Sequence, residues 1–285
     1  MADAAVPARP GRLPPDGTVP REAAGAPRPV PFRGGGFRPR GNRWAGALVF
    51  VLLVAVVEIG LRAGRISALT LPLPSAVAAT LWDMAESGAL WRHLAPSLSR
   101  LAVGAALGAL AGIAVGVAIG LFGLVRAGLV PVVAALFPVP KIALLPLFVI
   151  WFGIGEPSKW ALIAFGTFTP TVVATFGAVD NVDRGLVRMG QSFGLRWWSI
   201  VRKIVLPGAM PGILSGLRIS LSIAIILLVA AEMLGAQYGI GAFILEAGSL
   251  YDLERLFAGV VILSALGVGL SAALGAVERR VLRWR

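Results

Sequence analysis

Few residues in this sequence are equipped for chemistry. There is no cysteine and a single histidine, His93, so neither a thiol nucleophile nor a transition-metal site is expected. Within the long apolar runs, apart from the arginines near their ends, the ionisable groups are Glu58, Lys141 and Glu232. A charge at membrane depth is costly and by default indicates a pathway or a paired site. Lys141 and Glu232 are therefore the pathway candidates, and an ion pair between them is one arrangement open to them. Glu58 sits near one end of its run and is expected to reach lipid headgroups. No paired carboxylates or His/Cys constellation support an enzyme. A phosphate loop of the form G-x-x-x-x-G-K-[ST] is also lacking, because none of Lys141, Lys159 and Lys203 follows a glycine. The chain is expected to hold no catalytic residue, metal or cofactor of its own.

A different kind of chemistry is concentrated in GLRWWSIVRKIVLPGAMPGI, Gly194–Ile213. On a helical wheel Arg196, Ser199, Arg202 and Lys203 fall in one arc, with Trp197, Trp198, Ile200, Val201, Ile204 and Val205 opposite. Pro207 lacks a backbone donor and is expected to end this short helix before the next apolar run begins at Ile213. Gly194 is expected where the chain turns into the helix, a position that favours glycine if the turn needs a positive φ. An amphipathic, cationic helix can lie on a bilayer with its tryptophans among the headgroups, or it can fill a groove on another protein. Both readings stay open at this level.

The elements that must position these groups are membrane helices. Of the 285 residues, 57% are hydrophobic and 14% charged, with mean hydropathy +0.84, whereas soluble domains carry about 25% charged residues. The expectation is an all-α integral membrane protein. Its net charge of +12 reflects arginines flanking apolar runs, which topology explains better than nucleic acid. Six runs are long enough to cross a bilayer: residues 44–61, 98–121, 129–152, 160–179, 213–236 and 256–277. Counting Lys and Arg on alternate sides, 19 against 6, places both termini in the cytoplasm. Residues 1–43, rich in Pro, Gly, Ala and eight arginines, are expected to form a disordered, solvated cytoplasmic tail that fixes topology; an arm held near anionic headgroups is the other reading. In the second run Gly104, Gly108, Gly112, Gly116 and Gly120 recur every four residues, which makes one face suited to close helix packing. In the third, Pro131, Pro138, Pro140 and Pro146 must bend or interrupt the helix.

From Arg188 the chain reads RMGQSFGLRWWSIVRKIVLP. This resembles the cytoplasmic signature of ABC importer permeases, Glu-Ala-Ala, three residues, Gly, nine residues, Ile-x-Leu-Pro. Gly194, Ile204, Leu206 and Pro207 take the matching places, and Arg188-Met189-Gly190 stands where Glu-Ala-Ala is usual. The stretches LPLPSAV (71–77), PVPKIALLPLFVIWFGIGEPSKW (138–160), NVDRGLVRM (181–189) and AEMLGAQYGIGAFI (231–244) are similar to the branch for nitrate, sulfonate, taurine and bicarbonate. The resemblance implies the type I importer fold of six transmembrane helices in the bacterial inner membrane. It divides the chain into the tail, residues 44–97 as first span and extracytoplasmic connection, 98–279 as the permease domain, and 280–285 as a cytoplasmic tail. It implies a coupling helix between the fourth and fifth spans, with Arg188, Gly190, Gly194, Trp197, Trp198, Ile200, Ile204, Leu206 and Pro207 serving contact with an ATPase. The partners implied are an ATPase dimer that uses ATP and Mg, an extracytoplasmic solute-binding protein and a second copy of the chain. The solute implied is a small anion; relatives for thiamine precursors or riboflavin-like compounds are the alternative. A stand-alone ion-coupled transporter is the rival class, but it would draw its coupling carboxylates from Glu58 and Glu232 alone.

Overall fold

The fifth apolar run does not start at Ile213. In the computed structural model, which describes residues 43–283 except Ala68, it belongs to one helical column of 37 residues, Trp197–Met233. The expected tail lies outside the described residues, up to the helical Arg43. All regular elements among the described residues are helices: α1 (Arg43–Arg62), α2 (Pro74–Glu86), α3 (Ala89–Leu121), α4 (Gly123–Leu136), α5 (Leu145–Phe152) and α6 (Glu156–Asp180). They are followed by α7 (Arg184–Ser192), α8 (Trp197–Ile200), α9 (Leu206–Met233), α10 (Ile240–Ser249) and α11 (Leu253–Val281). Contacts divide the chain between Val49 and Phe50. Among the described residues the first unit holds Arg43–Val49 of α1, and the other elements lie in the second. Five helices are long and apolar enough to cross a bilayer, six if a bent pair is counted as one span.

That pair is the third run. α4 and the segment Lys141–Phe152 meet at 93°, with a 3-10 turn, Lys141–Leu144, at the corner. Pro138 and Pro140 explain the break, since neither can donate to the preceding turn and each disfavours helical geometry in the residue before it. The bend or interruption expected in this run thus falls between Leu136 and Lys141. The second span also begins earlier than expected: α3 includes residues 89–97 and carries Pro96 inside it.

The core is organised around α6. Gly104, Gly108, Gly112, Gly116 and Gly120 lay α3 against it so closely that side chains there would collide. A Cβ at Gly112 would stand 2.8 Å from Thr171 Cβ and 2.9 Å from Phe168 O, and one at Gly120 would stand 2.6 Å from Val179 Cγ1. The opposite side of α6 meets α9 in the same manner. A Cβ at Gly212 would lie 2.6 Å from Ala178 Cβ, and Gly216 faces Ala174. In lipid there is little hydrophobic gain from bringing helices together, so this approach of small residues supplies the packing. The glycine face thus works within the chain.

The column Trp197–Met233 departs from expectation at Pro207. Pro207 does not end a helix; it occupies the first turn of α9. Before it, Val201–Val205 forms a π-turn in which Leu206 N donates to Val201 O. The wider turn takes up the change of register, and at a first-turn position the missing donor of proline costs little.

Candidate functional site

Functional side chains gather at the two ends of the α3–α6–α9 bundle. At one end, Arg100 on α3 is 4% exposed and Glu232 on α9 is fully buried. Arg100 Nε and Nη2 each donate to Glu156 at 2.7 Å, a bidentate clamp, while Nη1 donates to Glu232 Oε1 at 2.8 Å and to Tyr238 O at 2.6 Å. Ser97 Oγ donates to Glu232 Oε1 at 2.7 Å and accepts from Ile240 N at 2.9 Å. Glu232 Oε2 accepts from Gly241 N at 2.9 Å, so the carboxylate caps the start of α10. His93 Nδ1 lies 3.0 Å from Gly239 O, and its ring lies near Tyr238 and Phe243. Gly239, at φ 149°, leaves room for this arrangement, since a Cβ there would come 2.5 Å from Glu232 Cδ.

This network displaces the Lys141–Glu232 pair. Lys141 donates to Phe137 O and lies 5.4 Å from the Phe137 ring centroid, at the corner of the broken span. Its reach is spent on its own turn, while Glu232 is engaged by Arg100, Ser97 and Gly241. Glu58 is also tied down. It accepts from Arg62 Nε at 2.7 Å, Ser75 Oγ at 2.8 Å and Ser75 N at 3.1 Å, and so holds the start of α2.

At the other end, the cationic element divides. Trp197 and Trp198 are 51% and 62% exposed, and Trp197 lies 5.6 Å from the exposed Phe122 ring. Ile200, Val201 and Val205 instead turn inward; Ile200 and Val205 pack with Val179, Val182, Ala209 and Ile213. Ile200 as an exposed anchor is therefore corrected, because it belongs to the core of its own chain. Ile204, Leu206 and Pro207 are half-buried, and Arg188 is exposed. Gly190 is buried where α7 crosses the element; a Cβ there would meet Ile204 Cδ1 at 2.8 Å. Gly194, at φ 70°, makes the left-handed turn between α7 and α8. Arg126 clamps Asp180 at 2.6 and 2.8 Å, joining α4 to the end of α6.

Most of the chain that carries these elements is matched by one family model. That model, the binding-protein-dependent transport system inner membrane component, matches residues 104–283. The chain belongs to that family. This permease is 34% identical, over 94% of its length and 96% of the relative's, to an aliphatic sulfonates transport permease protein of Bacillus subtilis. It is 38% identical to the taurine transport system permease protein of Escherichia coli, over 77% of this chain and 82% of that one. Among solved structures, a chain of the MetNI methionine ABC transporter in inward-facing conformations superposes with a TM-score of 0.59. It has 24% identity and covers 67% of this permease and 95% of that chain. The fold is that of a type I ABC importer permease, in a multi-pass protein of the inner membrane.

Arg100, Ser97, Glu156 and Lys159 do not stand out in the sequence of the permease, since Arg100 and Lys159 read as loop cations. A signal is present for the first. Arg100 stands four residues before Gly104, on the face that the glycine row lays against α6, so it reaches the start of α6 where Glu156 sits.

Proposed function

We propose that this permease carries small sulfonates into the cell, with ATP hydrolysed by a separate ATPase pair and the solute delivered by an extracytoplasmic binding protein. The observation that supports the substrate class is the likeness to two sulfonate-handling permeases along most of both chains. In this reading the chain holds no cofactor, and ATP and Mg belong to the ATPase. Two copies, surrounded by lipid, form the path, and both termini are cytoplasmic.

Coupling is assigned to the exposed aromatic element. Trp197 and Trp198 are the side chains left free to enter a cleft of the ATPase, in line with aromatic residues anchoring interfaces. Ile200 and Ile204 seat the element on its own bundle. Gly190 and Gly194 give α7 and α8 their close crossing and turn, and Arg188 is exposed on α7. Leu206 and Pro207 carry the helix through the π-turn into α9, so a push on the tryptophans is delivered along one unbroken column. The test is uptake of labelled taurine and of a short alkanesulfonate into proteoliposomes holding permease, ATPase and binding protein. ATP-dependent accumulation is expected; accumulation of neither solute with an assembled, ATP-hydrolysing complex would overturn the reading.

A further inference from the structure

Beside the ionic network, a cleft of about 150 Å³ opens between α5, α6 and α9, lined by Leu145, Val149, Ile154, Lys159, Ala231 and Leu234 among others. Lys159 is 5% exposed. Its ammonium has three protons to donate, and one goes to Gly155 O at 2.9 Å. The nearest carboxylate oxygen, Glu156 Oε1, stands 3.9 Å away and is itself taken by Arg100 at 2.7 Å. A buried ammonium in that position keeps donors without partners, which is costly unless something else accepts them. Lys159 also lies in the first turn of α6, whose N-cap Gly155 supplies no side-chain cap. Gly155, Ser158 and Lys159 at the start of α6 all line the cleft, so the positive end of that helix lies there too.

We propose that this cleft is a transient subsite for the sulfonate head of the solute, with Lys159 as its anion-selecting residue. The inference rests on the sulfonate reading above and extends it to a place in the permease. The sulfonate oxygens take the two free N–H groups of Lys159, and the carbon chain lies against Leu145, Val149 and Leu234. The volume is sufficient, since one water needs only about 10–15 Å³. Glu156 makes the site weak, because its carboxylate remains within 3.9 Å of the ammonium. A transport path needs such weakness, as a solute bound too firmly would not leave.

The experiment compares wild type, Lys159→Gln and Lys159→Arg in the complete reconstituted transporter, with taurine and ethanesulfonate as probes. Recovery of assembled complex and its thermal unfolding are recorded for each. Lys159→Gln keeps a donor for Gly155 but loses the charge, and uptake is expected to fall at least tenfold with normal recovery. Lys159→Arg keeps the charge and is expected to retain a substantial share. Uptake by Lys159→Gln within twofold of wild type overturns the subsite, as does equal loss in both variants. If Lys159→Gln is poorly recovered, the wild-type complex decides the matter: ethanesulfonate, which has no amine of its own, must protect Lys159 from an amine-acylating reagent, and unchanged acylation overturns the proposal. Absence of sulfonate uptake by wild type instead refutes the broader reading on which the subsite depends.

Discussion

Arg100 is the residue on which one end of the molecule turns, because it forms ion pairs with both Glu156 and Glu232. Removing one partner of a buried pair leaves an uncompensated charge and costs about 3–5 kcal/mol. Arg100→Met should therefore lower the unfolding temperature of the detergent-purified permease markedly, whereas Arg126→Met, which breaks an exposed clamp, should change it little. A scan of both variants checks this, and equal shifts would remove the special place given to Arg100. Arg100→Lys should also fall short of wild type, since an ammonium cannot reproduce the fork that grips Glu156. The sequence announces Glu232 as a costly charge but not its partner. The pairing spans more than a hundred residues, and only the glycine row, once recognised as the α6 face of α3, could place Arg100 beside Glu156. Lys159 is harder to find, because its burial depends on how α5 folds back at the proline corner.

Regular spacing makes some elements readable from sequence and misleads about others. The four-residue repeat of glycines points to a packing face, although only the structure gives α6 as its partner. Gly112→Leu would place a side chain where even a Cβ meets Thr171 and Phe168 at under 3 Å, so assembly or folding should fail. Recovery of the purified variant measures this; normal yield with normal transport would contradict the packing account. The amphipathic element resists such reading for a physical reason: a wheel gives the direction of a side chain about the axis, not whether a neighbour stands there. Residues placed on one apolar arc separate into Trp197 and Trp198, exposed at the start of α8, and Ile200, Val201 and Val205, which are buried. This division sets the coupling test. Trp198→Ala should reduce ATPase co-purification, or solute-stimulated hydrolysis, by at least tenfold, consistent with a loss of about 2 kcal/mol or more for an aromatic anchor, while insertion stays normal. Ile200→Ala should instead weaken the permease itself. A Trp198→Ala protein that inserts poorly yet keeps its ATPase would favour a membrane-surface role.

At the scale of the whole molecule, orientation follows from where the cations can act. By sequence Arg100 and Lys159 count on the outer side, but both are buried among acidic and carbonyl partners and exert no pull on headgroups. That leaves Arg62, Arg65, Arg92 and Arg255 on that side, and Arg62 is itself paired with Glu58. The end bearing Arg184, Arg188, Arg196, Arg202 and Lys203 keeps its charges exposed. The imbalance therefore grows once burial is known, and the rule that retains basic loops inside supports the proposed orientation, with the tryptophan element in the cytoplasm and the α9–α11 connection that carries α10 outside. The chain has no cysteine, so one introduced thiol reports one position. Ser158, at 2% exposed, would make a poor reporter, whereas Ser192 and Ser249 are both exposed. In intact cells a membrane-impermeant maleimide should label Ser249→Cys and spare Ser192→Cys, and after lysis it should label both. Labelling of Ser192→Cys from outside would invert the topology and carry the ATPase-coupling role away with it, since the element would then face the wrong compartment.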